Sequence, residues 1–210
     1  MTEHSVLAGK RDAVRAGLGR IAMDLFAQHG FEAVTIDEIA KEAGISARTF
    51  FRYFPAKEDI VLELGSRLQD RLLAALAQRP VHEGAVEALR RAYVATSTVP
   101  SQERARVLRI GRVLASSPTL RSASYGRPWA NGAPLVAAVA ERMGAGPADP
   151  RPRIIAAAMA AVATTEWHAW VDDGGAGDPA GRIGAALEAL EGGLRALEGR
   201  DPTEDLRRSR

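Results

Sequence analysis

The chain has 210 residues, with 28 Lys+Arg against 26 Asp+Glu, 46% hydrophobic residues, 26% charged residues and no cysteine. This length and apolar content suit one large or two small globular domains and exclude a disordered chain. The absence of cysteine excludes a disulfide framework, a thiolate metal site and a thiol nucleophile. The net charge is only +2, so a nucleic-acid partner must be argued from where the charges sit.

The first eleven residues are polar and lack the apolar run of a signal peptide. From there the apolar spacing is helical. Val14, Leu18, Ile21, Ala22, Leu25 and Phe26 share one face of a first helix over residues 10–29, which Gly30 ends as a C-terminal cap. Thr35, with Glu38 three residues later, forms a capping box ahead of Ile36, Ile39, Ala40 and Ala43. Gly44 closes that short helix. Ser46 is the next N-cap, for a helix over 47–54 stopped by Pro55. Ile60, Leu64, Leu68, Leu72 and Leu76 mark a fourth helix over 56–78, long enough to join two domains.

Further helices are predicted at 83–98, 102–116, 134–143, 151–171 and 179–197, with a short turn at 119–125. Residues 154–171 are apolar, but Glu166 and His168 make them a buried helix rather than a membrane span. The loops at 144–150 and 172–178 are rich in Gly and Pro. Neither follows a strand or carries the Lys-Ser/Thr of a phosphate loop, so both read as connectors. No β alternation and no internal repeat is visible. The charged tail, 198–210, is expected to fray.

The informative segment is residues 35–54, TIDEIAKEAGISARTFFRYF. It reads as helix, glycine turn, helix. Ile36, Ile39, Ala40, Ala43, Ile45, Phe50 and Phe54 face one small core, while Ala47, Arg48, Phe51 and Arg52 lie on the other side of the second helix. A recognition helix needs this division, because its back must be held while its front and N-terminus enter a major groove. Ser46 and Ala47 are small enough to let the helix end approach bases and phosphates.

On these residues the sequence resembles the TetR family of bacterial transcription regulators. The match consists of AQHGF at 27–31, residues 35–43, GIS at 44–46, TFFRYF at 49–54, and Lys57 and Glu58 after the proline. The resemblance implies a homodimer that reads a palindromic double-stranded operator, and a C-terminal helical domain that dimerises and binds a small-molecule effector. It further implies that Thr35, Ser46, Thr49, Tyr53 and Lys57 meet phosphates, and that Ala47, Arg48, Phe51 and Arg52 face bases or backbone. Hydroxyl and ammonium groups fix register on DNA, and Arg reads guanine bidentately. Two positions depart from the family. Phe51 stands where Tyr is common, which replaces a phosphate hydrogen bond by contact with a thymine methyl, and Arg48 stands where Gly is common.

Residues 1–60 contain eight basic and nine acidic side chains. DNA binding therefore rests on a cluster of Arg48, Arg52 and Lys57 with the arm residues Lys10 and Arg11, and with few basic contacts per subunit it requires dimerisation.

Aromatic residues make up only 5% of the chain, yet Tyr125, Trp129, Trp167 and Trp170 all lie C-terminal. With Met159 and Glu166 they are the expected ligand-binding residues, Asn131 and His168 being further polar candidates. Each also suits a plain core or interface. Arg106, Arg109 and Arg112 recur every three residues, on a solvated face or beside an anionic effector. The segment 48–54 is similar to that of regulators that sense acyl-CoA thioesters. Ala157, Ala158, Ala161 and Val162, with the stripe Ile183, Leu187, Leu190, Leu194 and Leu197, suit a four-helix dimer interface. The four histidines have no i, i+4 pairing, so neither zinc ligation nor a catalytic histidine is expected.

The expectation is thus an all-α protein. Residues 1–56 form a helix-turn-helix domain, and 57–210 a ligand-binding and dimerisation domain whose first helix, 57–78, is the connector. It is expected to be a cytoplasmic, ligand-responsive repressor with no cofactor, no metal, no membrane partner and no enzymatic activity. The rival readings are an architectural or partner-binding helix-turn-helix protein without an effector, and a helical enzyme.

Overall fold

The computed structural model describes residues 3–117, 120 and 132–198. Among these, all regular structure is helical: α1 Glu3–His29, α2 Ile36–Glu42, α3 Ala47–Phe51, α4 Glu58–Ala77, α5 Ala85–Ser97, α6 Arg104–Ser116, α7 Ala133–Met143, α8 Arg151–Asp172 and α9 Pro179–Glu198. The turn expected at 119–125, apart from Leu120, lies outside the described residues, as do Tyr125 and Trp129. So does the tail beyond residue 198.

Two boundaries differ from expectation for local reasons. The first helix begins at Glu3 rather than residue 10. No proline interrupts residues 3–9, and a helix already nucleated extends one hydrogen bond per residue. Lys10 and Arg11 therefore belong to α1 and do not form an extended arm. The third helix ends at Phe51 rather than 54. Its last turn tightens, with the N–H of Arg52 donating to Thr49 O (3.3 Å) and that of Tyr53 to Phe50 O (2.8 Å). Pro55 then bars continuation.

Both sequence-predicted caps form. The Thr35 hydroxyl accepts from the Glu38 N–H at 3.2 Å, and the Glu38 carboxylate accepts from the Thr35 N–H at 2.8 Å. At Ser46 the hydroxyl accepts from the Thr49 N–H at 3.2 Å. Between the two helices Gly44 takes φ +67°, a left-handed conformation that side-chain-bearing residues resist. That conformation lets the Ile45 N–H reach Ala40 O (2.9 Å) and the Gly44 N–H reach Lys41 O (3.1 Å), the paired bonds of a Schellman motif.

The chain divides into two compact units, Met1–Ser66 with Ala105–Gly126, and Arg67–Arg104 with Arg127–Arg210. The first therefore reaches beyond residue 56, taking in the start of α4 and α6. Its core combines Leu18, Met23, Phe26, Phe31, Ile39, Phe50, Phe54, Ile60 and Val113, with Ile36, Ala43 and Ile45 packed at its edge. Phe26 and Phe31 meet edge to face, 4.9 Å between centroids. Ser117 links this unit internally, donating to Glu32 Oε1 at 2.8 Å and accepting from the Leu120 N–H at 3.2 Å.

In the second unit α5 is contacted by α7, α8 and α9. The core includes Leu72, Leu76, Val86, Leu89, Leu135, Val139, Ile155, Met159, Ile183, Leu187 and Leu194. The stripe of α9 expected at a dimer interface thus packs within the protomer, with Leu190 half-buried beside it. A helix with one apolar stripe buries it against the nearest partner, and α5 and α8 are both at hand. On length and composition α8 would span a membrane, but Ile155, Ala156, Met159, Ala163, Trp170 and Val171 are buried against its neighbours. Arg142, in the last turn of α7, donates to the carbonyls of Pro80 (2.8 Å), Arg79 (3.0 Å), Glu83 (3.1 Å) and Leu76 (3.3 Å). A cation there satisfies the acceptors left over where α4 ends.

Candidate nucleic-acid interface

α3 is only five residues long, far below the length at which a helix is stable alone. It is held by its aromatic back. Phe50 and Phe54 are 0% and 1% exposed, with ring centroids 5.8 Å apart. The Arg15 guanidinium lies 4.7 Å from the centroid of Phe54 and is itself ion-paired to Glu63. The front carries the opposite character. Arg48 and Arg52 are exposed, and Phe51 is 52% exposed, an aromatic ring left in water beside two cations. Ala47 and Thr49 are half-buried and Ser46 is exposed. The helix N-terminus is thus edged by small side chains.

The hydroxyls are already ordered before any partner arrives. Ser46 Oγ and Thr49 Oγ1 lie 3.0 Å apart, and each keeps spare hydrogen-bonding capacity. The Arg52 guanidinium donates to the Tyr53 hydroxyl at 3.5 Å and sits 5.3 Å from its ring centroid. Thr35 is exposed at the start of α2. Its hydroxyl donates to Glu38 Oε2 at 2.9 Å while accepting from the backbone. The hydrogen bonds from the Thr35 backbone and side chain hold the Glu38 carboxyl below its ordinary value.

Lys57 differs from the free cation expected. Its Nζ donates to the carbonyls of Phe31 (2.8 Å), Val34 (3.1 Å) and Glu32 (3.4 Å) and lies 4.4 Å from the Phe31 centroid. An ammonium has three protons, and here each meets a carbonyl. Lys57 thereby fastens the start of α4 to the loop before α2. Lys10 lies on α1. The sequence missed this fastening because its acceptors are backbone atoms, which carry no residue signature.

The expected ligand residues are distributed otherwise. Met159 and Trp170 are both 0% exposed, and the Trp170 indole N–H donates to Gly177 O at 3.3 Å. Trp167 is half-buried, its ring 5.2 Å from that of Trp170. Glu166 accepts from Arg182 at 2.8 Å, and Arg182 also pairs with Asp173. Trp167 and Trp170 thus adjoin, while Met159 lies enclosed in core packing. Of the arginine series, Arg106 pairs with Asp24 at 3.3 Å, and Arg109 and Arg112 are exposed. Among the described residues no group of three or more His, Asp or Glu is placed to hold a metal ion.

The tetR family of bacterial regulatory proteins matches residues 20–64, and the MftR C-terminal domain matches residues 83–195. The chain is 30% identical over 198 residues to the mycofactocin biosynthesis transcriptional regulator MftR of Mycobacterium tuberculosis, covering 94% of this chain and 99% of that protein. It is also 30% identical over 168 residues to the regulator TcmR of Streptomyces glaucescens, covering 75% and 74%. Among solved structures, the TetR-family repressor FadR of Thermus thermophilus in complex with lauroyl-CoA matches with TM-score 0.53 and 26% identity, over 84% of this chain and 92% of that one. NalD of Pseudomonas aeruginosa shares the fold, with TM-score 0.60 at 20% identity, over 87% and 95%.

Proposed function

The chain belongs to the TetR family of bacterial transcriptional regulators and is therefore a DNA-binding regulator and not an enzyme; from that premise we propose that it represses transcription as a homodimer on a palindromic operator and is released by a long-chain acyl thioester. The observation that carries the DNA half is the division of α3. Phe50 and Phe54 lock its back, and Arg48, Phe51 and Arg52 are exposed on its front.

In this reading Arg48 and Arg52 address bases or adjacent phosphates, Phe51 and Ala47 meet thymine methyls, and Ser46, Thr49, Tyr53 and Thr35 fix register on the backbone. Lys57 acts one step back, by holding the loop from which Thr35 projects. Lys10 supplies longer-range charge from α1.

Dimerisation is supported by the faces of α8 and α9 that the protomer core leaves uncovered. Ala157, Ala161 and Thr164 on α8, and Ala185, Ala189, Gly192 and Gly193 on α9, are exposed, and Ile154 among them is 44% exposed. Small side chains let helices approach closely, so these two faces suit a symmetric four-helix contact.

The effector class rests on the likeness to FadR, which was solved with lauroyl-CoA. Release then works by population shift: ligand favours conformers in which the two recognition helices no longer match successive major grooves, which lie roughly 34–36 Å apart. Gly65 is the natural pivot. It lies exposed within α4, a Cβ there would meet nothing within 4 Å, and the two compact units part just after it, at Ser66. The regulator works in the cytoplasm, where its operator lies. Footprinting on DNA flanking its own gene tests the reading. A protected palindrome that lauroyl-CoA releases is expected, and no protection at low salt would overturn it.

A further inference from the structure

An acidic side chain beside a duplex carries a cost, because the phosphates repel it. Glu32 is such a side chain. It is exposed, stands three residues before Thr35, and lines one recess together with Thr35 and Lys57. Its carboxylate is held from a distant part of the chain: the Ser117 hydroxyl donates to Oε1 at 2.8 Å. Ser117 is itself only 3% exposed and accepts from the Leu120 N–H at 3.2 Å. With its proton and an acceptor site both engaged, the hydroxyl keeps one orientation.

The loop between α1 and α2 is fastened on its other sides as well. Phe31 and Val34 are both 2% exposed and share a core with Leu120. Lys57 takes the carbonyls of Phe31, Glu32 and Val34. Glu32 is thus gripped twice, by Lys57 at its carbonyl and by Ser117 at its carboxylate. The second grip comes from well outside the helix-turn-helix. The chain leaves the first compact unit after Ser66 and re-enters it over Ala105–Gly126, the stretch to which Ser117 belongs.

We propose that Ser117 is a positioning residue for operator binding: by holding the Glu32 carboxylate it places the loop, and with it the Thr35 hydroxyl, against the DNA backbone. This rests on the reading of Thr35 as a phosphate contact. Ser117 itself touches no DNA. A hydrogen bond to an ionised acceptor is stronger than one between neutral groups, which gives a reason to keep a carboxylate where charge alone would disfavour it.

The sign of one substitution separates this role from plain electrostatics. Removing an acid next to phosphates should tighten DNA binding if repulsion is all that Glu32 contributes. The probe is the duplex that the protein selects from a random-sequence pool, with affinity read by fluorescence anisotropy and folding by melting temperature. Glu32→Ala and Ser117→Ala should each weaken binding about three- to tenfold, and the double variant no more than the weaker single variant. The loss should be equal on the selected duplex and on its single-base variants, because a backbone contact carries no sequence information. Glu32→Gln, which keeps an oxygen acceptor, should stay within about twofold of wild type.

Ser117→Ala also strips the acceptor from the Leu120 N–H, so if it fails to fold, the exposed pair Glu32→Ala and Glu32→Gln carries the test. In a Thr35→Ala background, Glu32→Ala should cause no further loss. Tighter binding by Glu32→Ala, or an undiminished loss in that background, would overturn the positioning role while leaving Thr35 on the backbone. If Thr35→Ala binds as wild type does, the reading of Thr35 falls first and takes the role of Ser117 with it.

Discussion

The two compact units place their polar and aromatic side chains in opposite ways. In the first, four aromatic rings, Phe26, Phe31, Phe50 and Phe54, fill the core while Arg48, Phe51 and Arg52 are exposed. In the second, Trp170, Met159 and Leu187 are fully buried, and Glu83, Glu166 and Glu191 are each tied to an arginine of their own unit. A surface that meets a duplex must leave donors free, because its partner's phosphates and base edges supply the acceptors. A unit that takes charged side chains into its packing must pair them internally.

The largest test of this contrast is Phe50→Ala. Removing a fully buried ring should cost about 3–5 kcal/mol and abolish operator binding. All three tryptophans lie beyond residue 126, so tryptophan fluorescence reports chiefly on the second unit while circular dichroism reports on both. The fluorescence midpoint in denaturant should hold while the dichroism curve develops an earlier step. A single shared shift would show that the two units unfold as one.

Arg142→Ala is the mirror experiment. It strips a charged donor from four carbonyls where α4 ends and should cost about 1.5–3 kcal/mol, lowering the fluorescence midpoint. Operator affinity of the folded protein should change little.

The next pair separates base reading from scaffolding on the DNA side. Arg48→Ala should lose about 1–3 kcal/mol of discrimination between the operator and single-base variants. Lys57→Ala should weaken all sequences alike while leaving the salt dependence of binding unchanged, because its ammonium is already held by carbonyls. A salt slope smaller by about one would place Lys57 on a phosphate after all.

The smallest effect is the acid limb of the Thr35 cap. The Glu38 carboxyl is held below its ordinary value of 4.5 by hydrogen bonds from Thr35. Its contribution is therefore present above that value and lost as pH falls through the lower folded value. Wild type should be more stable than Glu38→Gln at neutral pH, and the gap should close only in acid below 4.5. A gap independent of pH would show that shape and not charge holds the cap.

The caps, the glycine turn and the buried back of α3 were legible because each depends on residues no more than about four positions apart. Thr35 with Glu38, Ser46 with Thr49, and Gly44 between them needed no tertiary information. The front of α3 was legible for the same reason, since a face is defined by helical period alone. Three other features were not. Lys57 reads as a phosphate contact until the loop carbonyls 23–26 residues earlier in sequence are brought beneath it. Arg142 gives no hint of its role, because its acceptors lie some 60 residues earlier. The stripe on α9 was visible, but whether it faced its own protomer or a second copy was not.

The sequence by itself determined the helical class, the recognition segment and the side of α3 that faces outward, because local hydrogen bonds and a 3.6-residue period encode all three. Only the tertiary structure decided which cations stay exposed and which apolar stripe stays within the protomer. Those outcomes depend on backbone carbonyls and distant helices, and packing alone brings them together.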